Sequence, residues 1–375
     1  MLEREIVKKI NSKLESNKIL VLIGTSENNN EQLFLEHLKD PENYKLFDAS
    51  NKKVKSVFQE INLSNVTELF ENKKNIILKE AQLLDKLQEI IEVVLFEDLD
   101  VNLICLCSFE PIFDDVLMEV LTTQELIIRT TSPTFKEIAK HFGLIQIEKN
   151  LEQRLIFGNN QEVFESEETA VLFLEECVSN ILKSTLNPKE RINKTEQLKK
   201  LLQNIALSIG NHISYNELGT KVGLDNETVE RYVHLLEKAQ VLIKIPTFST
   251  DQKYELKKTH CLYFYDNGIR NSLIKNYNAL EYRNDADVLW KNWFIAEKYK
   301  KTTDINSQFY FWVTHTKQQV DLIESDEKGD KMIAYQLKWN KKDKKKFPKS
   351  FSVFYPKAKL IEVNRSTYWT FLAKD

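Results

Sequence analysis

The chain has 375 residues, of which 42% are apolar and 29% charged, and its formal net charge is −3. This composition is typical of a core-forming protein with two or three domains, and it excludes a globally basic nucleic-acid coat. Glycine is scarce, with 8 residues in the chain, and Gly24 is the single glycine before Gly143. Because phosphate loops need glycines for close approach of the backbone to an anion, this segment cannot hold an intact glycine-rich loop.

Membrane and disulfide signals are weak. No apolar run approaches the ~18 residues of a membrane span. The first residues, MLEREIVKKINSKL, are charged and amphipathic, unlike the apolar core of a signal peptide. The four cysteines form no Cys-x-x-Cys pair, so we expect neither a disulfide framework nor a zinc site. The sequence therefore predicts a cytoplasmic protein without membrane contact.

Short apolar runs alternate with helical patterns in the first 150 residues. Four of the runs are continuously apolar, as is typical of strands buried on both faces of a parallel sheet. The predicted strands span residues 19–24, 44–49, 75–79, 101–108 and 125–130, and the predicted crossover helices span residues 30–39, 54–60 and 81–96. This order of elements predicts a doubly wound, five-stranded α/β domain.

Ligands of such sheets bind beyond the carboxyl ends of the strands. The first predicted strand ends at Gly24, and a polar loop and a helix follow, which is the layout of a phosphate-binding loop. The third ends at Lys79 and Glu80, where a nucleotide enzyme holds Mg²⁺ with a carboxylate. The fourth ends at Ser108, the place for a polar sensor of the terminal phosphate.

Three later segments are the most specific part of the sequence. They read IGNHISYNELGTKVGLDNETVERYVHLLEKAQVLIKIP (209–246), LYFYDNGIRNSL (262–273) and YFWVTHTKQQVDLI (310–323). With them, the chain resembles bacterial and archaeal AAA+-type ATP-binding proteins that carry a C-terminal winged helix and a restriction-endonuclease-like domain. The resemblance implies an AAA+-like P-loop domain with a helical lid over residues 1–187, a winged helix over 188–258 and a restriction-endonuclease-like α/β domain over 259–375. It also implies ATP and Mg²⁺ as ligands.

The phosphate-loop motif is degenerate. Such a loop follows the pattern Gly-x4-Gly-Lys-Ser/Thr. Laid from Gly24, the pattern places Asn29 at the second glycine, Asn30 at the lysine and Glu31 at the hydroxyl. Glu31 puts a carboxylate where a triphosphate would lie, and two like charges about 4 Å apart repel by about 4 kcal/mol at an effective dielectric constant near 20.

The second nucleotide motif departs from the family as well. The resemblance implies Asp-Glu after the third strand, where the chain has Lys79 and Glu80, and an arginine near Gln124, for which Arg129 is a displaced substitute. We expect a site that keeps the fold without hydrolysing ATP. The first and third strands should flank a single strand, which would let Lys79 pair with Glu31 or Glu80. The alternative is a rearranged ATPase in which Lys79 contacts the phosphates and Glu80 polarises water.

A helix-turn-helix with a β-wing is predicted from residue 195 onward. Ser214 and Glu217 have the spacing of a capping box. The predicted helices span residues 195–208, 215–222 and 227–239, and VLIKIP begins the wing. In a DNA-binding winged helix the third helix enters the major groove, and Arg231 is its candidate contact. Its outward carboxylates would repel phosphate, so we expect a structural or protein-docking role in preference to DNA reading.

The last third of the chain predicts a nuclease-like fold. An apolar helix over residues 286–300 carries Glu297. The predicted strands span residues 308–313, 319–324, 332–337, 351–354 and 359–363. Asp321 and the run Gln336-Leu337-Lys338 resemble the Asp…Glu-x-Lys motif of restriction-endonuclease-like folds, in which carboxylates hold Mg²⁺ and a lysine assists the attack of water.

This metal motif has lost charge. Gln336 is neutral, and the resemblance implies glutamates where Lys291 and Gln319 stand. We expect a nuclease-shaped scaffold with a structural Lys338–Asp321 pair. A Mg²⁺-dependent nuclease that uses Asp321, Glu297 and Lys338 is the alternative.

A lysine run follows this motif over residues 338–349. Such a run is either a solvated surface or a patch for a phosphate backbone. The candidate nucleic-acid contacts in it are Lys341, Lys342, Lys344, Lys345 and Lys346. We therefore predict a non-hydrolysing scaffold or docking protein that binds a protein partner or itself, with nucleic acid as a further partner. We assign it no metal ligands and no cofactor beyond the ATP and Mg²⁺ that the resemblance implies.

Overall fold

The structure is a computed structural model, and it describes residues 4–16, 18–24, 34, 41–60, 68, 70, 73–97, 99–160, 163, 166–186, 188–248, 260–301, 307–316, 318–326, 331–340 and 346–373. The chain forms two compact units. One comprises Met1–Ser132 with Lys238–Gln240, and the other comprises Pro133–Glu237 with Val241–Asp375. The predicted boundaries at residues 187 and 258 both lie inside the second unit.

The first unit contains the predicted five-stranded parallel sheet, in the order β2-β3-β4-β1-β5. Its strands are β1 (Ile19–Ile23), β2 (Tyr44–Asp48), β3 (Asn75–Lys79), β4 (Asn102–Cys107) and β5 (Ile127–Arg129). The order confirms that a single strand, β4, separates the first strand from the third. Each boundary agrees with the sequence prediction to within two residues.

Burial on both faces explains why the central strands are continuously apolar. Successive side chains of a strand point to opposite faces of the sheet. In β1, Ile19, Val21 and Ile23 belong to one hydrophobic cluster, whereas Leu20 and Leu22 belong to another. A strand with a core on each side has no polar face, so its sequence does not alternate.

The helices of the first unit follow the predicted crossovers in part. They are α1 (Glu5–Ser16), α2 (Lys52–Gln59), α3 (Leu87–Phe96) and α4 (Asp115–Thr123), with short 3-10 helices at Pro41–Asn43 and Ala81–Leu83. The helix predicted over 81–96 is thus divided into a 3-10 turn and α3. The helix predicted over 30–39 lies almost wholly outside the described residues.

The second unit begins with helices. They are α5 (Phe135–Phe142), α6 (Leu144–Lys149), α7 (Leu151–Phe157), α8 (Glu167–Thr185) and α9 (Pro188–Leu207). Thr134 starts α5 through a capping box, because its side chain accepts a hydrogen bond from the backbone of Glu137 while the Glu137 carboxylate accepts one from Thr134.

Three helices and a small antiparallel sheet occupy the segment predicted as a winged helix. After α9 come β6 (His212–Ile213), α10 (Tyr215–Val222), α11 (Asn226–Lys238), β7 (Leu242–Pro246) and β8 (His260–Phe264). The strands pair in the order β6-β8-β7. Ser214 Oγ accepts from the Glu217 backbone at 3.2 Å, and Gly223 ends α10 with φ 73°, a left-handed conformation that favours glycine.

The rest of the second unit contains a four-stranded sheet in the order β12-β11-β10-β9, in which β12 alone is parallel to its neighbour. Its elements are α12 (Asn267–Leu273), a 3-10 turn (Leu280–Tyr282), α13 (Ala286–Lys301), β9 (Ser307–Val313), β10 (Gln319–Asp326), β11 (Met332–Leu337), α14 (Lys349–Phe354), β12 (Lys359–Val363) and α15 (Trp369–Leu372).

The strand predicted over 351–354 is wrong, since these residues belong to α14. Phe351 is fully buried and lies 5.2 Å from the Trp312 ring, whereas Val353 and Phe354 are 77% and 68% exposed. A buried strand would hide more than one residue of this run. The Tyr355 backbone instead donates to Phe351 O at 2.8 Å, which is a helical bond.

The structure also bears on membrane-spanning helices and disulfides, which the sequence does not predict. No helix among the described residues is long and apolar enough to cross a membrane. The four cysteines are buried and form no disulfides.

Candidate functional sites

The first candidate site lies where the strands of the parallel sheet end. Gly24 follows β1, and its backbone donates to Cys107 O at 2.9 Å. Lys79 ends β3 and Glu80 follows it, while Ser108 follows β4. The parallel pairing of β3 with β4 brings Glu80 and Ser108 together, as their positions in the sequence predict.

Both carboxylate oxygens of Glu80 accept hydrogen bonds from neutral groups. Ser108 Oγ donates to one oxygen at 2.6 Å, and Gln82 Nε2 donates to the other at 2.6 Å. Gln82 Oε1 in turn accepts from the Ser108 backbone at 3.3 Å. Glu80 holds this position with φ 51°, an uncommon left-handed conformation for a non-glycine residue. The water-activating and phosphate-sensing groups that the resemblance implies are therefore bonded to each other.

Lys79 lies beside the carboxylate that ends the next strand. Its Nζ is 4.0 Å from Asp48 Oδ2. The predicted partner Glu31 lies outside the described residues, as do Asn29 and Asn30. The ammonium and the bonded Glu80 do not fit a Mg²⁺ ion at this strand end, because a cation already occupies the place of the metal-orienting aspartate.

The arginine position is also altered. Gln124 is exposed at the end of α4, where its carbonyl accepts from Lys13 at 3.5 Å. Arg129, the predicted substitute, ends β5 and pairs with Glu110 at 2.8 Å. Its guanidinium is thus already engaged with a carboxylate of its own unit.

The second candidate site surrounds Asp321, which is 1% exposed. Leu322 pairs with Tyr335 across β10 and β11, so Asp321 and Gln336 occupy the next positions along the ladder. Gln336 Nε2 and the Leu337 backbone both donate to Asp321 Oδ2, the latter at 2.9 Å. Gln336 Oε1 is buried and has no hydrogen-bond partner among the described residues. The structure thus brings together two members of the predicted motif.

A lysine faces the other oxygen of Asp321. Lys291 Nζ lies 3.7 Å from Asp321 Oδ1 and 2.8 Å from Asp287 Oδ2, one turn earlier on α13. We call Asp321, Lys291, Asp287 and Gln336 the Asp321 cluster. Its ammonium stands where the resemblance implies a glutamate. The donor set therefore does not fit Mg²⁺, and within the described residues no group of three or more His, Cys, Asp or Glu could hold a metal.

Lys338 pairs with a residue that the sequence did not single out. Its Nζ lies 2.8 Å from Glu362 Oε2 on the neighbouring strand β12. The predicted Lys338–Asp321 pair is wrong, because the ammonium beside Asp321 belongs to Lys291. Side chains two positions apart on a strand share a face, but Lys338 follows the end of β11 and reaches the edge strand.

Glu297 serves a different contact from the predicted metal site. Its two oxygens accept from the Phe135 backbone at 2.6 Å and from Asn159 Nδ2 at 2.7 Å. Lys300 adds an ion pair at 2.9 Å, in which both side chains are 1% exposed. Glu297 lies six residues after Lys291 on α13, which places the two on different faces of the helix. The structure therefore uses Glu297 to hold the start of α5.

A thiol and a phenol close to Asp321 have raised pKa values. Burial raises the pKa of Cys261 to about 12, and it raises that of Tyr263 well above its ordinary value, with a further contribution from the negative charge of Asp321. His212 Nδ1 lies 3.5 Å from Cys261 Sγ. The raised pKa disfavours the thiolate that a nucleophilic Cys–His pair requires.

The candidate nucleic-acid contacts are described only in part. Arg231 is exposed on α11, 4.6 Å from the Tyr232 ring, with the exposed carboxylates of Glu227 and Glu230 on the same helix. Lys346 is exposed as well. The other candidates lie outside the described residues, namely Lys341, Lys342, Lys344 and Lys345.

An asparagine network was not recognised as a site in the sequence. Asn267 Nδ2 donates to Leu155 O at 3.1 Å, and Asn271 Nδ2 donates to Leu155 O at 3.2 Å. Asn292 exchanges two bonds with the Phe264 backbone and donates to Asn267 Oδ1 at 2.7 Å. These buried amides join α7, α12, α13 and β8. The stretch DNGIRN (266–271) could have indicated this network, since it places three polar residues, all of them buried, in one short helix.

An ion cluster extends this network. Asp285 accepts hydrogen bonds from Arg270 and Arg283 at 2.6 and 2.8 Å. Burial opposes ionisation of Asp285, but the bonds and charges of the two arginines outweigh it and lower its pKa to about 2. Asp285 is therefore ionised throughout the physiological range, and its role is to neutralise two buried guanidinium groups.

Two family models match parts of the chain. Residues 148–279 match a family described as "Domain of unknown function (DUF8612)", and residues 288–370 match one described as "Domain of unknown function (DUF4143)". No curated protein matches the chain.

Among solved structures, the chain is similar to the Walker-type ATPase PABY2304 of Pyrococcus abyssi, with 14% sequence identity and a TM-score of 0.45. The match covers 73% of this chain and 96% of that one.

Proposed function

We propose that the chain is a scaffold or docking protein that hydrolyses neither ATP nor nucleic acid. The observation that carries this proposal is the position of Lys291 between Asp287 and Asp321. A cation brought to about 4 Å from an ammonium is repelled by about 4 kcal/mol per unit charge at an effective dielectric constant near 20. Lys291 therefore satisfies the buried carboxylate and disfavours Mg²⁺ at the same point.

The first unit supports the same proposal independently. Lys79 stands at a strand end where ATPases hold a metal through an aspartate, and its ammonium lies near Asp48. Glu80, which would activate water, is bonded on both oxygens. Each candidate site thus has a lysine at the place of a metal-ligating carboxylate, while the strands around it remain intact.

The arrangement of α9, α10, α11 and the small sheet supports a winged helix, which we assign a docking role. Its third helix, α11, exposes Glu227 and Glu230 beside Arg231. Carboxylates at this position repel phosphates. A protein partner does not impose that repulsion, so docking suits this face better than DNA reading does.

Calorimetric titration with Mg-ATP tests the proposal directly. We expect no binding tighter than about 1 mM, and no release of phosphate above background. Binding in the micromolar range with turnover that Glu80→Gln abolishes would establish the alternative, a rearranged ATPase that uses Lys79 and Glu80. Cleavage of DNA or RNA with Mn²⁺ that Asp321→Asn abolishes would establish the nuclease.

A second candidate function, nucleic-acid association, is favoured by the surface of α14. We define the α14 surface as the exposed residues Lys346, Lys349, Val353, Phe354, Lys357 and Lys359. The surface carries four exposed lysines and an exposed phenyl ring, which are the groups that phosphate neutralisation and base stacking need. Such a surface suits a single strand, whose bases are free to stack.

Fluorescence anisotropy of a labelled oligothymidine measures this association. We expect binding that weakens with salt, and a double variant Lys349→Glu/Lys357→Glu should reduce the slope of log K against log salt by about 1 to 2. The double variant Lys200→Glu/Lys221→Glu, at exposed lysines of α9 and α10, is the charge-matched control and should leave the slope unchanged. Equal slopes for all three proteins would refute the α14 surface as the contact.

A further inference from the structure

An open groove runs between α6 and the C-terminal helix α15 in the second unit. Its volume is about 770 Å³, within the range of about 300 to 1,000 Å³ typical of binding sites. The walls are predominantly apolar and include Leu144, Ile145, the Tyr368 ring and Trp369. These four come from α6 and the start of α15, and the turn over residues 364–366 completes the lining.

The apolar side chains of the groove are exposed, except for the buried Tyr368 ring. Ile145 is 79% exposed, Trp369 is 40% exposed, and Phe142 on the preceding helix is 49% exposed. Ile147 and Leu372 on the same two helices are buried, so core packing anchors both walls. Single exposed apolar residues are ordinary, but a contiguous band beside a cavity marks a binding surface.

Charged groups line one side of the groove in a fixed arrangement. Arg365 bonds Glu148 at 3.1 Å and Glu152 at 2.9 Å, and Tyr368 OH donates to Glu148 at 2.9 Å. The two glutamates are thereby satisfied by partners of their own unit. Lys149, which also lines the groove, is exposed and forms no ion pair with any described residue. The charge left available to a ligand at this rim is positive.

We propose that this groove docks a helical segment of a partner protein, with large apolar side chains on one face and carboxylates beside them. The inference rests on the proposed docking function and names its site. Apolar anchors would lie against Ile145 and Trp369, as in other helix-in-groove complexes, and a flanking carboxylate would meet Lys149. The exposed apolar surface continues from the groove to Phe142, at the junction of α5 and α6. A surface of this length suits a helix of several turns better than a compact ligand.

Selection from a phage-displayed peptide library tests the proposal on the full chain. The library is panned on the unaltered protein and depleted on the variant Ile145→Asp, which folds normally because the side chain is mostly in solvent. We expect enriched peptides with apolar residues three and four positions apart and with Asp or Glu beside them. Failure to enrich any peptide over the depleted pool, or enrichment of basic peptides, overturns the proposal.

Binding of the best selected peptide then checks the residues. Ile145→Asp should weaken binding about 10-fold or more, and Lys149→Glu about threefold, because a rim charge contributes less than an apolar anchor. Leu172→Asp, on the exposed face of α8, is the matched control and should change nothing. Equal losses for Ile145→Asp and Leu172→Asp overturn the assignment to the groove.

Light scattering distinguishes a partner from a second copy of the chain. If the unaltered protein is a dimer and Ile145→Asp makes it a monomer, the groove is a self-association surface and the proposal is overturned. Neither measurement involves nucleotide. A protein that hydrolyses Mg-ATP and yet selects acidic apolar peptides would refute the non-hydrolysing function and leave the groove proposal standing.

Discussion

Lys291 Nζ lies 3.7 Å from Asp321 Oδ1, although the two residues are 30 positions apart and belong to α13 and β10. Asp321 is 1% exposed and the Lys291 side chain 20% exposed, so the contact is largely shielded from water. A buried carboxylate needs a counter-charge or hydrogen bonds, and Asp321 has both. The Lys291–Asp321 contact therefore explains how the chain accommodates this buried carboxylate.

Lys291→Met removes the counter-charge and leaves Asp321 buried. We expect the free energy of unfolding to fall by about 1 to 3 kcal/mol, because the buried carboxylate loses an ammonium partner and keeps its hydrogen bonds from Gln336 and Leu337. Urea unfolding followed by tryptophan fluorescence measures it, since all five tryptophans lie in the second unit. Lys221→Met breaks an exposed pair with Glu217 on α10 and should cost less than about 1 kcal/mol. Equal losses of stability in the two variants would show that the Lys291–Asp321 contact stabilises the fold no more than an exposed ion pair does.

Restoring carboxylates should turn the Asp321 cluster into a cation site. In the double variant Lys291→Glu/Gln336→Glu, two carboxylates replace the ammonium and the amide and join those of Asp321 and Asp287, and this is a donor set that divalent ions prefer. Calorimetry should show Mn²⁺ binding by the variant and none by the unaltered protein. Thermal melting confirms that the variant folds, and Gln336→Glu alone serves if the double variant does not. A folded variant that ignores Mn²⁺ would contradict the interpretation of Lys291 as a replacement for the metal.

Gly158→Ala should be strongly destabilising. Gly158 has φ 87°, and an added Cβ would lie 1.9 Å from Asp266 Oδ1. Asp266 cannot move without losing its bonds to the backbones of Gly268 at 2.7 Å and Asn159 at 3.0 Å. The left-handed backbone alone costs an alanine about 1 to 3 kcal/mol. The clash adds to that cost, which urea unfolding measures.

Gly143→Ala is the matched control for this substitution. Gly143 has a similar φ of 77°, but nothing lies within 4 Å of an added Cβ. It should therefore show the backbone cost of about 1 to 3 kcal/mol and no more. If the two alanines cost the same, the contact between Gly158 and Asp266 is not a constraint on the fold.

Acid should destabilise the second unit through Asp285. Its pKa is lowered from 3.8 to about 2 in the folded chain, so the unfolded state binds the proton more readily. The stabilising contribution is complete above about pH 4 and is lost as the pH falls towards 2. In Asp285→Asn the drop in stability between these pH values should be smaller than in the unaltered protein. The variant should also be less stable at neutral pH, because Arg270 and Arg283 lose their shared carboxylate; parallel pH profiles would contradict the assignment.

The strands of the first unit could be predicted because burial on both faces leaves a continuous apolar run. The same reasoning failed at residues 351–354, where four residues with three apolar members form part of α14. An amphipathic turn and a short strand both offer such a run, and only the packing of Phe351 separates them. The asparagine network escaped prediction for a related reason, since its amides bond to backbone atoms that are distant in sequence.

The candidate site residues could be recognised from local order along the chain, because motif positions and strand ends depend on neighbouring residues. The sequence placed Glu80 and Ser108 in one candidate site and Asp321 and Gln336 in another. It also showed that Lys79 and Lys291 occupy positions where the resemblance implies carboxylates. The partners of these residues depend on the packing of the folded chain: Lys291 for Asp321, Glu362 for Lys338, and the start of α5 for Glu297. The reason is that the partner of a buried charge is set by which helix face packs on which strand, and the spacing of residues does not encode that packing.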